Sequence, residues 1–357
     1  MPLNKKPETS DNSATYYLAA DTGATVSRYL LLRKVGENSV VEASGRMAGF
    51  NYSISGKEGL FGFFKSLLGK LSMVQGEKEG RNERLIIGLA IAGAGRAEVK
   101  KLIVKDIASY FNLHFYLDLP KNLSGGFRVI ELYLLHDGES ALWSVFEDGV
   151  GIIVNSGTGS IAFGRDRGGN TFRAGGWGHI AGDEGSAYWI GREGISRSLR
   201  VYDGRGFKGI YMSSLLKSIP ASLGMSSPEE LVSWLHSEKA GKKEIADISI
   251  VVEREAKNGD TLALEILRDA GKELAELAGA VIERLIDSGC VSFDRPIALT
   301  GSVFQKCKLV RKFFEEVFSR KYKDMEITVS KVSPEMGVKN YLFHLEELKK
   351  EPDFQYH

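Results

Sequence analysis

One local pattern occurs twice in this sequence: a short apolar run, a turn that contains Gly and Thr, and a second apolar run. The first copy surrounds the turn at 21–25, and the second surrounds the turn at 156–160. Such a strand–turn–strand unit can direct backbone N–H groups and a hydroxyl toward phosphate. The two turns lie roughly 130 residues apart, about the length of one domain. The repeat therefore predicts a duplicated chain, in which two related domains each present one hairpin to a shared interdomain cleft.

Apolar runs and apolar helix faces predict the elements of each half. Strands are predicted at 16–20, 27–33, 40–43, 85–92, 115–119, 151–155, 161–164, 296–299 and 325–329. Helices are predicted at 59–73, 97–111, 138–146, 186–199, 228–236, 243–256, 261–288 and 335–350, with a helical region opening at 207–209 and a loop at 45–52. Three strands followed by alternating helices and strands are typical of a ribonuclease-H-like unit of the α/β class.

Length and composition limit the class of protein. A chain of 357 residues is long for one core, so we expect two domains, at 15–148 and 149–334, the second with a helical insertion. The net charge is only +1 and the sequence has no basic stripe, so we expect no nucleic-acid partner. Residues 1–14 are polar and are predicted to be a disordered tail without the apolar segment of a signal peptide.

Cysteine usage and hydropathy predict the location. No apolar run reaches the ~18 residues that cross a bilayer, so we expect no membrane association. Cys290 and Cys307 lack the spacing of a zinc or redox motif. We expect both to be reduced and structural, as in a cytoplasmic protein.

The stretch from Gly175 to Gly194 carries the most chemistry. Glycines at 175, 176, 178, 182 and 185 let the backbone adopt positive φ or approach a ligand closely. Trp177 and the adjacent carboxylates Asp183 and Glu184 lie among them. Carboxylates accept hydrogen bonds from sugar hydroxyls and a tryptophan ring shapes a pocket, so these residues favour a polyol site. Capping of the following helix is the ordinary structural alternative for the two carboxylates.

The same stretch, Gly-Gly-Trp-Gly-His…Gly-Asp-Glu-Gly-Ser-Ala-Tyr-Trp-Ile, closely resembles the signature of the N-acetylglucosamine kinase family, which is grouped with the BadF/BadG/BcrA/BcrD-type ATPases. Weaker matches extend over most of the chain. The resemblance implies an α/β fold with two duplicated ribonuclease-H-like (actin-like ATPase) domains around an interdomain cleft. It also implies that the helix at 335–350 packs back on the N-terminal domain. ATP and Mg²⁺ are the implied cofactors and an amino sugar is the implied partner; we also expect a homodimer.

Asp137 is the candidate catalytic residue. It directly precedes the predicted helix at 138–146, where an Asp is often only a helix cap. The family has its catalytic Asp in this place, before a helix of small residues and shortly before the second phosphate hairpin. The resemblance therefore implies that Asp137 is the general base.

The resemblance also implies which residues hold the nucleotide. In the first hairpin, Asp21 is expected to place Mg²⁺ through water. The family's version of this turn is richer in glycine and has a basic residue where Val26 stands; here Thr22 and Ala24 replace glycines. Nucleotide contacts are expected from Asp21, Gly23, Thr25, Gly157, Thr158, Gly159, Ala246, Gly301 and Ser302.

The sugar is expected to contact Asn51, Ser160, Gly176, Trp177, Gly178, Asp183 and Glu184. Ile161 stands where the vertebrate-type enzymes carry an Asn, so one sugar contact of the family is lost. The expected reaction is transfer of a phosphoryl group from ATP to the 6-hydroxyl of an amino sugar, with N-acetylglucosamine as the first candidate. Glucosamine and N-acetylmuramic acid are alternative substrates.

Two other functions stay open at this point. A non-catalytic sugar-sensing module has the same fold, although the presence of Asp137 counts against it. A reductase-activating ATPase of the wider family holds an iron–sulfur cluster between subunits with cysteines. Cys290 and Cys307 lack the glycine context expected for that cluster.

Overall fold

The computed structural model describes residues 14–23, 26–73, 83–113, 127–289 and 296–349. These residues divide into two compact units. The first unit contains the described residues up to Asp148 together with those from Val332 onward, and the second is Gly149–Lys331. The last part of the chain therefore belongs to the first unit.

The first unit is built on a mixed five-stranded sheet. Its strands are β1 (Thr15–Thr22), β2 (Val26–Val35), β3 (Asn38–Ala48), β4 (Glu83–Ile91) and β5 (Phe127–His136). They lie in the order β3-β2-β1-β4-β5. β2 runs antiparallel to both of its neighbours, whereas β4 runs parallel to β1 and β5. β1 and β4 are almost entirely buried, which explains why both are continuous apolar runs in the sequence.

Before Asp148, three helices are described in this unit. They are α1 (Tyr52–Leu68), which continues as a 3₁₀ turn (Gly69–Met73), α2 (Ala97–Leu113) and α3 (Asp137–Val145). The apolar side of α1 buries Leu60, Phe64 and Leu67 completely. The ring of Phe64 stacks on Tyr110 of α2 with centroids 4.7 Å apart, so α1 and α2 share one core.

The second unit repeats this sheet. Its strands are β6 (Gly151–Ser156), β7 (Ser160–Arg165), β8 (Thr171–Gly175), β9 (Ile297–Thr300) and β10 (Ile327–Val329). The order is β10-β9-β6-β7-β8. β7 is antiparallel to β6 and β8, and β9 is parallel to β6 and β10. The two sheets have the same topology, so the predicted duplication within an α/β fold is confirmed.

Seven described helices belong to the second unit. They are α4 (Ala187–Tyr202), α5 (Leu215–Ser222), α6 (Glu230–Leu235), α7 (Lys242–Lys257), α8 (Thr261–Asp287), α9 (Ser302–Lys306) and α10 (Lys308–Lys321). The long helix α8 packs on β6, β7 and β8 and also contacts α4, α7 and α10. Its apolar stripe, which includes Leu274, Ala278 and Val281, is fully buried and forms the centre of the unit's core.

The last described helix, α11 (Pro334–Leu348), packs against β1, β4 and α3 of the first unit. Val338 and Leu342 are buried in this contact. Asn340 Nδ2 donates to the carbonyl of Trp143 at 3.0 Å, and the Ser140 hydroxyl donates to the carbonyl of Pro334 at 2.8 Å. The first turn of α11 therefore lies beside the first turn of α3.

Several element boundaries differ from the sequence prediction. β3 extends through Ala48, and α1 begins at Tyr52, so the predicted loop at 45–52 shrinks to three residues. The helical region predicted to open at 207–209 begins later, with α5 at Leu215, and Phe207 and Ile210 form an isolated bridge before it. β5 and β8 were not predicted. The strand predicted at 115–119 lies outside the described residues.

Candidate functional site

The predicted residues of the first unit meet at one edge of its sheet, where three parallel strands end. Asp21 lies near the end of β1, and His136 ends β5 directly before Asp137. The hydroxyl of Thr22 accepts a hydrogen bond from the backbone N–H of Ala92 at 3.1 Å, which joins the end of β1 to the turn after β4. In open α/β sheets, ligands bind at the carboxyl ends of the parallel strands.

Asp21 is a buried carboxylate with an unsatisfied oxygen. The residue is 7% exposed, and its Oδ1 has no hydrogen-bond partner. Burial raises the pKa of Asp21 to about 7; the contact with the Ser140 hydroxyl acts in the opposite direction, and the charges of Asp137 and Glu335 raise the pKa further. A buried oxygen without a partner is costly unless a cation or a bound water completes it. Asp21 therefore fits the Mg²⁺ role expected from the sequence.

Asp137 stands at the first turn of α3 with its side chain half-exposed. The helix cap is the preceding residue, His136, whose Nδ1 accepts hydrogen bonds from the backbone N–H groups of Gly138 and Glu139. The Glu139 side chain accepts in turn from the backbone N–H of His136 at 2.9 Å, which completes a capping box. His136, not Asp137, is therefore the N-cap residue of α3. The Asp137 Oδ1 accepts a hydrogen bond from the backbone N–H of the adjacent Gly138 at 3.1 Å, and its half-exposed carboxylate lies at the positive end of α3.

Asn51 caps α1. Its Oδ1 accepts a hydrogen bond from the backbone N–H of Ser53 at 2.9 Å. The Ser53 hydroxyl accepts a hydrogen bond from the Arg96 guanidinium at 3.3 Å, which connects this cap to the start of α2. A cavity of about 360 Å³ lies between residues 46–50 and the side of α1 that carries Ser55, Gly59 and Phe63; Asn51 does not line it. The cap uses the amide oxygen, so the amide nitrogen is the group that Asn51 can offer to a sugar.

Of the other two predicted residues of the first hairpin, only Gly23 is described. Its carbonyl accepts a hydrogen bond from the backbone N–H of Phe50 at 3.1 Å, which holds the turn against the residues that precede α1. Thr25, like the departure at Ala24, lies outside the described residues.

In the second unit, the turn at 156–160 is anchored to the start of α4. The Ser156 hydroxyl donates to the carbonyl of Gly185 at 3.0 Å, and the backbone N–H of Ala187 donates to the carbonyl of Gly157 at 2.9 Å. Within the turn, the backbone N–H of Gly157 donates to the carbonyl of Gly159 at 2.9 Å. Thr158 is half-buried between them. These hydrogen bonds therefore join the turn at 156–160 to the glycine-rich stretch at 175–194.

Asp183 is the residue that joins them. Its backbone has a positive φ of 61°, which is uncommon for a residue other than glycine. The side chain is nearly fully buried: Oδ1 accepts from the backbone N–H of Ser160 at 3.2 Å, and Oδ2 accepts from Lys242 Nζ at 2.8 Å. Helix α4 is capped by Ser186, whose hydroxyl accepts from the backbone N–H of Trp189, so the capping alternative for Asp183 is wrong.

Sequence reasoning missed Lys242, the ion-pair partner of Asp183. A signal for it exists, because Lys242 lies one helical turn before Ala246 and therefore on the same side of α7. Ala246, expected near the nucleotide, is buried. Asp183 binds both Lys242 and Ser160, so the start of α7, with Lys242 and Ala246, lies beside the turn at 156–160.

Ser160 and Glu184 are held by backbone contacts of the same segment. The Ser160 hydroxyl donates to the carbonyl of Glu184 at 2.7 Å, and the Ser160 carbonyl accepts from the backbone N–H of Gly176 at 3.0 Å. The Glu184 carboxylate contributes, after burial and Glu276, to raising the pKa of Glu273 on α8. Ser160 is thus buried, whereas Glu184 keeps a partly exposed carboxylate.

Trp177 projects into solvent from a left-handed turn. Gly176 and Gly178 on either side of it have φ of 70° and 86°, conformations that favour glycine. The ring is 68% exposed, and the guanidinium of Arg173 lies 4.6 Å from its centroid. The exposed aromatic ring is available to a ligand, and its part in a sugar pocket stays a prediction. Arg173 is a second residue that sequence reasoning missed.

Gly301 and Ser302 follow β9 beside the same hairpin. Gly301 has a φ of 91°, and a Cβ atom at this position would lie 2.3 Å from the Ser156 carbonyl oxygen. Only glycine therefore lets the chain pass so close to the end of β6. This passage places the Ser302 hydroxyl 3.9 Å from an ideal Cβ position on Gly157, so two of the predicted groups of nucleotide-binding residues are neighbours.

Cys307 is buried and free. Burial raises the pKa of its thiol to about 11, so the thiol stays protonated at neutral pH. This pKa describes the thiol without a bound metal and does not decide whether Cys307 could hold a cluster. Cys290 lies outside the described residues. Separately, none of the helices in the described part of the chain has the length and apolar character needed to cross a membrane.

Two characterised relatives share sequence with this chain. It is 37% identical over 199 residues to an N-acetylmuramic acid/N-acetylglucosamine kinase of Clostridium acetobutylicum. It is 29% identical over 213 residues to an N-acetyl-D-glucosamine kinase of Dictyostelium discoideum. Each alignment covers 56% of this chain, and they span 58% and 65% of the relatives' own lengths.

Solved structures support the fold. A candidate N-acetylglucosamine kinase from Chromobacterium violaceum superposes with a TM-score of 0.61 at 21% identity, covering 90% of this chain and 97% of that one. A second candidate, from Porphyromonas gingivalis, has a TM-score of 0.56 at 16% identity and covers 94% and 99% of the two chains. At these identities the likeness establishes the architecture alone. The model of the BadF/BadG/BcrA/BcrD ATPase family matches residues 20–338, so the chain belongs to that family.

Proposed function

We propose that this chain transfers the γ-phosphoryl group of ATP to the 6-hydroxyl of an amino sugar, with N-acetylglucosamine as the first substrate. The observation that carries the proposal is the pair of carboxylates at the sheet edge of the first unit. Asp21, near the end of β1, is buried with an unpaired oxygen, and Asp137, directly after β5, is half-exposed. One is suited to a cation and the other to a substrate hydroxyl. The names of the two relatives support a sugar kinase.

In this proposal Asp137 accepts the proton of the attacking hydroxyl. His136 caps α3, and the Asp137 carboxylate accepts one hydrogen bond, from Gly138, and is half-exposed, so it keeps an oxygen for a sugar hydroxyl. Asp21 would hold Mg²⁺ through water, and the ion would supply positive charge against the phosphates. Catalysis of phosphoryl transfer depends chiefly on such positioning and charge stabilisation.

Phosphates are held by the two Gly- and Thr-bearing turns. The turn at 157–159 presents backbone N–H groups and the Thr158 hydroxyl, while Thr25 is assigned the matching role in the first unit. Gly301 and Ser302 approach the nucleoside from the end of β9, and Ala246 lies near it on α7. The close contact of Gly301 with the Ser156 carbonyl at the end of β6 supports this assignment, because it keeps Ser302 beside the turn at 157–159.

The sugar is bound by Asn51, Ser160, Gly176, Trp177, Gly178, Asp183 and Glu184. The exposed ring of Trp177 offers an apolar surface and Glu184 a carboxylate. Asp183 already accepts hydrogen bonds from Ser160 and Lys242, so a sugar hydroxyl at Asp183 uses a further lone pair or competes with the lysine.

The test is a coupled assay of ADP release with N-acetylglucosamine, glucosamine, N-acetylmuramic acid and glucose, each with and without Mg²⁺. We expect release to depend on an amino sugar and on the metal, and NMR of the product to show a 6-phosphate. ATP turnover that is indifferent to every sugar tested would contradict the proposal. The variant Asp137→Asn is the control, because any ADP release that it retains does not depend on the proposed base.

A further inference from the structure

Arg173, on β8, carries a cation with unused donors beside the tryptophan of the proposed sugar site. Its guanidinium lies over the Trp177 ring, 4.6 Å from the centroid. Nη1 donates to the Gly175 carbonyl at 3.3 Å, and no carboxylate of the described residues forms an ion pair with it. A guanidinium has five N–H donors in a planar fork. Most of the hydrogen-bonding capacity of Arg173 is therefore left for a ligand.

The other cations of this region are already paired. Lys242 is bound to Asp183 at 2.8 Å, and Arg192 is bound to Glu193 at 3.0 Å. The Glu184 carboxylate makes no ion pair with Arg173 among the described residues. Arg173 is thus the cation of this stretch that can accept a new anionic partner without breaking an existing ion pair.

The stacking contact makes Arg173 a suitable anion receptor. The Trp177 face restricts the guanidinium plane, so less side-chain freedom is lost when the fork binds a ligand. A guanidinium binds a carboxylate through two parallel hydrogen bonds, a geometry that lysine cannot reproduce. A neutral sugar does not need this charge, whereas N-acetylmuramic acid differs from N-acetylglucosamine by a lactyl ether that ends in a carboxylate.

We infer that Arg173 binds the carboxylate of an acidic amino sugar, so that the site takes N-acetylmuramic acid as well as N-acetylglucosamine. The inference rests on the proposed function and adds its substrate class and a specificity residue. The competing role for Arg173 is mechanical: it supports the Trp177 ring and has no ligand of its own. The two roles differ in outcome, because loss of support affects both sugars and loss of an anion receptor affects only the acidic one.

The experiment compares Arg173→Gln and Arg173→Lys with wild type, measuring kcat and KM for both sugars at saturating ATP and Mg²⁺. We expect Arg173→Gln to raise KM for N-acetylmuramic acid roughly ten-fold or more, the loss typical of a charge-assisted contact, with little change for N-acetylglucosamine. Arg173→Lys keeps the charge but loses the fork, so its KM for the acidic sugar falls between the other two. Arg205→Gln, at an exposed arginine paired with Asp203, controls for the loss of one positive charge.

The outcomes separate the inference from the proposed function. A parallel rise in KM for both sugars assigns Arg173 to support of Trp177 and overturns the inference, as does an unchanged KM for both. A wild-type protein that phosphorylates N-acetylglucosamine but not N-acetylmuramic acid also overturns the inference and leaves the proposed function intact. A wild-type protein that phosphorylates neither sugar removes the proposed function itself.

Discussion

Lys242 and Asp183 form an ion pair of 2.8 Å in which the carboxylate is almost fully buried and the lysine is one-third exposed. The second oxygen of Asp183 accepts from the backbone N–H of Ser160. A carboxylate from the glycine-rich stretch therefore connects the phosphate hairpin with the start of α7. This contact makes Asp183 a structural residue in the chain without ligands, whatever it does when a sugar is bound.

The first prediction concerns stability. Lys242→Met leaves the buried Asp183 carboxylate with one partner fewer, so we expect a loss of about 1–2 kcal/mol in the free energy of unfolding. This is less than for a fully buried pair, because water reaches Lys242. Asp183→Asn in the Lys242→Met background should recover part of the loss, since the uncompensated charge is removed. Denaturant unfolding of the four proteins measures the coupling; additive losses would show that the pair contributes nothing.

The same two variants test the role of Asp183 in sugar binding. If Asp183 accepts a sugar hydroxyl, Asp183→Asn weakens sugar binding roughly ten-fold and ATP binding far less, because the charged acceptor is gone. Lys242→Met disturbs the same ion pair but keeps that acceptor, so it is the matched control. Calorimetric titration with each ligand gives the comparison. Equal weakening of sugar binding in both variants would mean that Asp183 acts only by holding the hairpin.

The third prediction separates chemistry from helix capping at α3. Asp137→Asn should lower kcat by about 10²–10⁴-fold, the usual contribution of a general base, with the melting temperature almost unchanged. His136→Ala removes the side chain that caps α3 and should cost about 0.5–2 kcal/mol of stability. Both quantities are measured on the same preparations. Normal turnover in Asp137→Asn would place the base elsewhere.

The parts of the fold that sequence predicted are those with a strong local pattern. β1, β4, β6 and α8 are apolar runs or apolar stripes because both faces, or one whole face, are buried. β5 was missed because Glu131 interrupts its apolar run. That carboxylate is balanced by Arg84 and by Lys349, which directly follows α11 and lies 218 residues further along the chain, and no local pattern reveals such partners.

The same holds for the site residues: those in a local motif were predicted, and those that depend on packing were not. The motifs located Asp21, Asp137, the 157–159 turn and Gly301 at the ends of parallel strands. They did not reveal that His136 takes over the cap of α3, or that Lys242 and Arg173 lie beside Asp183 and Trp177. Those contacts depend on how α7 and β8 are packed, which spacing along the chain does not encode. The ligand roles of all these residues stay predictions.

The fourth prediction uses two glycines with similar backbones and different surroundings. Gly301 and Gly204 both have positive φ, of 91° and 73°, but only Gly301 has atoms within 4 Å of a Cβ position. Gly204→Ala should cost only the conformational penalty, about 1–2 kcal/mol. Gly301→Ala adds a clash with the Ser156 carbonyl and should cost more and weaken ATP binding. Equal losses of stability would show that β6 moves aside without cost.

The last prediction follows from the pKa of Asp21, which burial raises to about 7 from an ordinary value of 3.8. The folded chain binds this proton more tightly than the unfolded chain. Its contribution to the free energy of unfolding is therefore fully present below pH 4 and is lost as the pH rises toward 7. Asp21→Asn has no proton to lose. Its stability relative to wild type should therefore increase by on the order of 3 kcal/mol between pH 5 and pH 8. Thermal or denaturant unfolding across this range measures the difference.

Glu335 provides an internal check on that result, because its charge is one of the causes that raise the pKa of Asp21. Glu335→Gln removes this repulsion, so the loss of stability with rising pH should end at a lower pH than in wild type. Mg²⁺ bound at Asp21 favours the ionised carboxylate and should shift the profile of wild type in the same direction, but not that of Asp21→Asn. A stability difference between Asp21→Asn and wild type that is constant from pH 5 to pH 8 would show that Asp21 is ionised throughout. The buried carboxylate would then be ionised at rest, and a cation or a bound water would have to complete the unpaired Oδ1.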